Sequence, residues 1–323
     1  MYYFVTGASG RLGLILVRKL VERHQNVIAL VPDGSEKAKL PEGIEIIVGD
    51  INDAPQIEKG VAKSDVVVHL AGLIDYGAAW NELERVNVKG TRTVAEACAK
   101  FKKKLIYAST TGVYGKKLAE NPANEKTPTN PSDLYAKSKL EAERIVTSYY
   151  GSFPYLIFRI GVIYGPSYFP IYGRIIKMID RGSMTVFGDG KNVIPFVYAE
   201  DVAEALMLGA KSNISSATFL ISENMTLTQE RIYKLVAEYL GKANYSPIRV
   251  PAEVGKALAA LFGSSVKLNP EDINVLSSHR MFDTERAERA LGWKPSRTVA
   301  EGIKEMVDLY ASKKQMNKKR LGE

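Results

Sequence analysis

Short apolar runs rich in β-branched residues alternate with helix-length segments through the first half of the chain, and this alternation constrains the fold more than any other feature. The runs are Tyr2–Thr6, Val27–Val31, Ile44–Val48, Val66–Leu70, Leu105–Ser109 and Tyr155–Arg159. Between most of them lie segments of helical length: Arg11–His24, Ala54–Val61, Glu82–Lys100 and Pro131–Tyr150. Strands that alternate with helices predict an α/β fold with a doubly wound parallel sheet. Runs that are continuously apolar, rather than apolar at every second residue, fit strands buried on both faces. Ligands of such sheets bind outside the carboxyl ends of the strands.

After Arg159 the rhythm breaks. Gly165-Pro166 interrupts the chain, Gly188-Asp189-Gly190 makes a tight loop, and helical patterns at Glu200–Leu208 and Thr228–Tyr239 flank a short strand, Thr218–Ile221. Pro247, Pro251, Pro270 and Pro295 punctuate the rest. The expectation is a dinucleotide-binding domain over 1–166, with 189–222 returning to it. A smaller, discontinuous C-terminal substrate lobe is expected over 167–188 and 223–312, followed by a disordered basic tail, 313–323. The 323 residues carry 44 Lys and Arg against 36 Asp and Glu, a net +8. Lys313, Lys314, Lys318, Lys319 and Arg320 supply five of those charges, so the charge reads as a solvated terminus. No nucleic-acid motif accompanies it. Cys98 is the single cysteine, which excludes an intrachain disulfide and a cysteine-built zinc site and suits a reducing, cytoplasmic setting. No Cys/His/carboxylate spacing suggests a metal. No run reaches the roughly 18 apolar residues of a membrane span, and the chain enters its first strand with no secretory pattern before it.

The first strand leads directly into Gly7-Ala8-Ser9-Gly10-Arg11-Leu12-Gly13 and then a helical pattern. Glycines at this spacing let the backbone approach a pyrophosphate, and the helix N-terminus offers free N–H groups and the positive end of its dipole. The turn therefore predicts a Rossmann-type dinucleotide site. The second strand ends Leu30-Val31-Pro32-Asp33, with Val31 where an NAD site usually has an acid. Asp33 comes late, while Arg11, Lys37 and Lys39 can hold a 2′-phosphate, so the cofactor reads as NAD or NADP with a lean towards NADP. Asp50 and the adjoining Ile51, ending the third strand, are candidates for the adenine edge.

Tyr135 and Lys139 are four residues apart in a helical stretch and so share a face. A tyrosine acting as a base near neutrality must have its pKa lowered by about three, which is roughly 4 kcal/mol. A nearby ammonium and a positively charged nicotinamide both favour the phenolate. Ser109, Thr110 and Thr111 place hydroxyls at the carboxyl end of the fifth strand, facing the same crevice. His69 reads as structural.

With these motifs in order, the sequence resembles the extended short-chain dehydrogenase/reductase family along nearly its whole length. The matching elements are Thr6-Gly7-x-x-Gly10-x-x-Gly13, His69-Leu70-Ala71-Gly72, Asn87-Val88-Lys89-Gly90-Thr91, Tyr135-x-x-x-Lys139, Arg159 to Pro166, Phe196 to Val202, and Leu291-Gly292-Trp293-Lys294-Pro295. The resemblance implies Tyr135 as general acid/base and Lys139 as ligand of the nicotinamide ribose. It implies Thr110, four before the tyrosine of Val113-Tyr114-Gly115, as hydrogen-bond partner of the substrate oxygen. Gly7, Ser9, Gly10, Arg11, Leu12, Gly13, Leu70, Ala71, Gly72 and Asn87 are implied to line the cofactor. It further implies a homodimer built on the helices at Glu82–Lys100 and Pro131–Tyr150.

Members of that family acting on nucleotide sugars hold the diphosphate with an asparagine and a late arginine; here those positions are Val162 and Ile194. Losing charge-assisted hydrogen bonds of about 1.5–3 kcal/mol each disfavours a diphosphate. The segment looks more like the 3β-hydroxysteroid dehydrogenase and dihydroflavonol-reductase branch. The first expectation is accordingly an NAD(P)-dependent oxidoreductase interconverting a secondary alcohol and ketone on a small, weakly charged substrate. A nucleotide-sugar epimerase or dehydratase, with Arg174, Lys177, Arg181 or Lys191 as replacement clamp, is the alternative. A non-catalytic, cofactor-sensing protein is a third.

Overall fold

In the computed structural model, residues 1–223, 227–242, 244–257, 260, 273 and 277–321 are described. Pro270 and parts of the 223–312 span lie outside them. The first half forms β1 (Tyr2–Thr6), α1 (Arg11–Glu22), β2 (Asn26–Val31), β3 (Glu45–Val48), α2 (Ala54–Lys63), β4 (Val66–His69), α3 (Trp80–Leu83), α4 (Gly90–Phe101), β5 (Lys104–Thr110), α5 (Leu134–Ser148) and β6 (Tyr155–Ile160). The second half adds β7 (Val162–Tyr164), α6 (Phe169–Asp180), β8 (Thr185–Phe187), β9 (Phe196–Tyr198), α7 (Ala199–Lys211), β10 (Ser216–Ile221), α8 (Gln229–Tyr239), β11 (Ile248–Val250), α9 (Glu285–Leu291) and α10 (Val299–Leu321).

Seven parallel strands form one sheet in the order β10-β6-β5-β4-β1-β2-β3. The order reverses between β1 and β4, which opens a crevice at their carboxyl ends. Both faces are covered, as the continuous apolar runs require. Leu16, Leu20, Val202 and Leu206 pack on one face, and Ile57, Val61, Val94 and Cys98 on the other, all nearly or fully buried. Each large apolar side chain removed from water contributes about 1.5–3 kcal/mol. Two short parallel pairs, β7–β9 and β8–β11, carry the second lobe, whose core gathers Ile176, Ile179, Ile232, Val236, Ile303 and Met306.

Three local features differ from the sequence expectations. The helix expected over Glu82–Lys100 is α3, a π-helical stretch Glu84–Lys89 and α4 in continuous succession. The wider turn carries Asn87, whose side chain bonds to three groups outside the helix. Residues 285–293, expected in the substrate lobe, pack instead on the main sheet. Ala287, Leu291 and Trp293 join its core, and the Trp293 indole N–H donates to the Asp201 carbonyl on α7 (2.9 Å). The expected disordered tail is the end of α10, helical to Leu321. Val299, Ile303, Met306, Val307 and Tyr310 continue an apolar stripe on that helix. Beyond it, Lys313 lies 4.5 Å over the Phe169 ring and Lys314 donates to Asp180 (2.5 Å).

Candidate active site

The glycine turn sits at the reversal of the sheet. Gly7 has φ +68°, and a Cβ there would stand 2.6 Å from the Ala71 nitrogen, so the turn and the end of β4 are in backbone contact. A Cβ on Gly13 would stand 2.1 Å from the Gly7 carbonyl oxygen, which makes the third glycine a condition of α1 packing so close to β1. Gly10 is the N-cap of α1; no side chain caps that end and no acid lies in its first turn. The first N–H groups of α1, together with Ser9, Arg11 and Leu12, thus form an anion cradle of the kind that receives a pyrophosphate. The cradle fits a dinucleotide.

His69 anchors this corner. Its Nδ1 lies 2.7 Å from Thr6 Oγ1 and its Nε2 3.0 Å from Thr91 Oγ1, while Thr6 Oγ1 accepts the Ala71 N–H (3.2 Å). Complete burial lowers the His69 pKa to about 3, so the ring is neutral and structural, as the sequence suggested. Leu70, Ala71 and Gly72 continue from it along the crevice. A Cβ on Gly72 would stand 3.2 Å from Asn87 Oδ1 and 3.9 Å from Lys139 Nζ, which brings three of the expected cofactor residues to one spot. Asn87 is fully used by the protein: Oδ1 accepts the Leu73 N–H (2.7 Å), and Nδ2 donates to the Leu73 carbonyl (3.0 Å) and to Ser138 Oγ (2.8 Å). It therefore ties the loop after β4 to α5. Asp50 and Ile51 lie at the end of β3. Asp50 accepts from Asn52 N–H (2.9 Å) and pairs with Arg85 (3.1 Å), bonds that hold its carboxyl below the usual range, and Ile51 is buried.

Helix α5 begins at Leu134, with Asp133 Oδ1 capping the Ala136 N–H (2.7 Å), and presents Tyr135 and Lys139 on its buried face. The Tyr135 ring meets Tyr76, from the loop after β4, edge-on at 5.6 Å. Lys139 Nζ lies 4.3 Å over the Tyr107 ring of β5. Thr110 ends β5; its Oγ1 accepts the Gly112 N–H (3.0 Å), which leaves its hydroxyl proton directed elsewhere. A Cβ on Gly112 would stand 3.3 Å from Thr110 Oγ1 and 3.4 Å from the Ala136 Cβ, so the threonine hydroxyl lies against the first turn of α5. Ser109, whose hydroxyl was expected in the same crevice, instead donates to Glu143 (2.5 Å). Glu143 is in turn clamped by Arg159 (2.7 Å), which also donates to the Tyr114 hydroxyl (2.7 Å). This buried network joins α5, β5 and β6 beneath the site.

The electrostatics depart from the sequence expectation. Burial raises the Tyr135 pKa above its ordinary value, and the neighbouring Tyr76, Asp133 and Tyr168 raise it further. Burial lowers Lys139 to about 7, partly offset by Glu143. Burial disfavours the charged form of both groups, so the protein alone does not acidify the phenol; the positive nicotinamide of a bound cofactor would favour the phenolate.

Arg280 escaped the sequence reading. It is 6% exposed, its backbone N–H pairs with the Val193 carbonyl (3.0 Å), and its Nε finds no hydrogen-bond partner among the described residues. Burial lowers its pKa, and Tyr76 and Asp133 are near enough to raise it. A cation therefore stands near Tyr76, whose ring meets Tyr135, and its backbone pairs with Val193, the neighbour of Ile194, where the polar clamp was taken as lost. Only its apolar followers, Met281 and Phe282, hinted at burial. Among the described residues no cluster suited to a metal occurs, and no helix is long and apolar enough to cross a membrane.

A glycine cradle at the sheet reversal and a buried Tyr-x-x-x-Lys face with a threonine at the adjoining strand end define a nicotinamide-dependent enzyme of the extended short-chain dehydrogenase/reductase type. The chain belongs to the NAD dependent epimerase/dehydratase family, whose profile matches residues 3–220. It is similar to a dTDP-D-glucose 4,6-dehydratase of Dictyostelium discoideum, 30% identical over 62% of this chain and 53% of that protein. It is 26% identical to a 3β-hydroxysteroid dehydrogenase/decarboxylase of Arabidopsis thaliana over 95% of this chain and 61% of that one. The chain thus spans about half to three-fifths of the length of these two relatives. Among solved structures, a UDP-glucose 4-epimerase with UDP-glucose from Thermotoga maritima superposes with TM-score 0.80 at 25% identity, covering 98% of this chain and all of the other. These likenesses favour the nucleotide-sugar alternative over the simple alcohol–ketone reading that the sequence alone put first. They name NAD and give no support to the lean towards NADP.

Proposed function

We propose that the protein is an NAD-dependent enzyme of nucleotide-sugar epimerase or dehydratase type, acting at a secondary carbinol of a sugar that carries a diphosphate. The observation that carries this reading is Arg280, a buried guanidinium with an open Nε beside the cover of Tyr135. A buried cation left short of partners is costly, and a phosphate is the partner that a planar guanidinium takes best. NAD, when bound, would supply hydride transfer at the carbinol carbon. Tyr135 takes the carbinol proton in the oxidising half of the reaction and gives it back in the reducing half. Thr110 donates a hydrogen bond to the same oxygen and holds it in line with the phenol. Lys139, against Gly72, orients the nicotinamide ribose.

NAD is the proposed cofactor rather than NADP. Glu36 bonds to Lys39 and to Ser9 of the cradle, interactions that hold its carboxyl below the usual range. The Lys39 pair is 2.7 Å long, so one of the three cations considered for a 2′-phosphate is already engaged by an acid. Dimerisation through α4 and α5 is part of the proposal and is checked by light scattering.

A second reading keeps one specific observation: Val162 and Ile194 both line an apolar cavity, which suits a substrate with a hydrocarbon body. Turnover separates the two. With NAD present, a panel of UDP- and dTDP-hexoses is expected to give an epimer or a dehydrated sugar by NMR. Arg280→Gln is expected to raise KM tenfold or more with little change in kcat, the loss of one charge-assisted bond of about 1.5–3 kcal/mol. Turnover of an uncharged carbinol with net reduction of nicotinamide, and of no nucleotide sugar, would reverse the order of the readings.

A further inference from the structure

The second lobe encloses a cavity of about 260 Å³ among α6, α8, α10 and the β7–β9 pair. Protein interiors keep few voids larger than a water molecule. A hydrocarbon-lined cavity of about 150 Å³ already accepts benzene, so this one has the bulk for two fused rings. Its wall is hydrocarbon from Val162, Ile176, Ile194, Ile232 and Met306, with one amide set into it, Gln229. Gln229 is 1% exposed; its Nε2 donates to the Tyr233 hydroxyl (3.0 Å), and its Oε1 finds no partner among the described residues. The cavity reaches the surface at Ile171, which lines it and is 48% exposed. Tyr172 is in its lining; burial first, then Tyr168 and Tyr76, raises the Tyr172 pKa, and the same two tyrosines help raise that of Tyr135.

We propose that this cavity is a ligand subsite for an apolar body of about two rings bearing a single hydroxyl, the hydroxyl bonding to the Gln229 amide. Ligand sites are mostly apolar with a few polar groups that set orientation, and this cavity has that composition. A hydroxyl both donates and accepts, so it serves the amide in either orientation. The proposal deepens the second reading, whose observation was Val162 and Ile194 in this wall, and does not depend on the nucleotide-sugar reading, because none of the residues that define the cavity belongs to the cofactor cradle or the Tyr135–Lys139–Thr110 set.

The test uses the full chain with NAD⁺ present and 2-naphthol as the probe, with 2-methylnaphthalene as its hydroxyl-free counterpart. Binding is read by fluorescence and by the change in melting temperature. The expected results are saturable binding of 2-naphthol at one site and at least tenfold weaker binding of 2-methylnaphthalene. Ile232→Phe, which fills the cavity, should weaken 2-naphthol at least tenfold while leaving NAD⁺ affinity unchanged. Gln229→Leu should erase the difference between the two probes. Absence of saturable 2-naphthol binding to the wild type, equal binding of both probes to it, or displacement of 2-naphthol by NAD⁺ would each overturn the proposal, and the wild-type comparisons stand even if a variant fails to fold. Failure here leaves nucleotide-sugar turnover untouched, so the two readings fail separately.

Discussion

Ser109, Thr110 and Thr111 are neighbours in sequence with alternating directions, and that alternation assigns them different work. Ser109 donates to Glu143, whereas Thr110 lies against the first turn of α5. Thr110→Val is expected to lower kcat with no loss of NAD⁺ affinity. Ser109→Ala is expected to leave kcat nearly unchanged and to cost about 1–3 kcal/mol in urea unfolding, the cost of leaving Glu143 short of a donor. Tyr135→Phe removes the only phenol of the triad and should reduce turnover by about 10²–10⁴, the usual share of a positioned acid/base. Gly13→Ala sets a methyl 2.1 Å from a backbone oxygen, so it should displace α1 and weaken NAD⁺ by at least tenfold in calorimetry.

At the scale of elements, the loop after β4 and the helices α3 to α5 form one unit held by Asn87. Asn87→Ala frees two backbone groups of Leu73 and the Ser138 hydroxyl, and should both destabilise the fold by about 1–3 kcal/mol and raise proteolytic nicking near Tyr76. Most of these elements were legible in the sequence. Strands buried on both faces leave an uninterrupted apolar signature, and the glycine turn marks itself by spacing. What was not legible has a common cause. Arg280 is placed by bonds to segments far away along the chain, its own N–H to the Val193 carbonyl and the Met281 N–H to Asn121, and the π-helical turn at Glu84–Lys89 is set by Asn87's partners rather than by local propensity. The order of the tail was hidden because the apolar stripe of α10 ends before its cations begin, while their partners, Asp180 and Phe169, lie on α6.

At the scale of the molecule, the sheet and the second lobe meet along β7, β9 and the ends of α7 and α10, and a buried acid sits at that seam. Glu223 accepts from the Tyr164 hydroxyl (2.9 Å), and burial, followed by the charge of Asp201, raises its pKa to about 7. The folded state therefore binds more protons than the unfolded chain between about pH 4.5 and 7. Its contribution to stability is full below that window and is lost as the pH rises through 7. Thermal unfolding should show the wild type losing stability from pH 5 to 8, by on the order of 1.4 kcal/mol for each tenfold difference in proton affinity between the folded and unfolded carboxyl, with a flatter profile in Glu223→Gln. Burial of the Tyr135 phenol and the Lys139 amine sets the chemistry, because the charged form of each is disfavoured in the protein alone. Ultraviolet titration of the phenolate, taken as the difference between wild type and Tyr135→Phe, tests this most directly. The account predicts that NAD⁺ moves the Tyr135 titration to distinctly lower pH than in the protein without it; a titration that NAD⁺ leaves in place would contradict it.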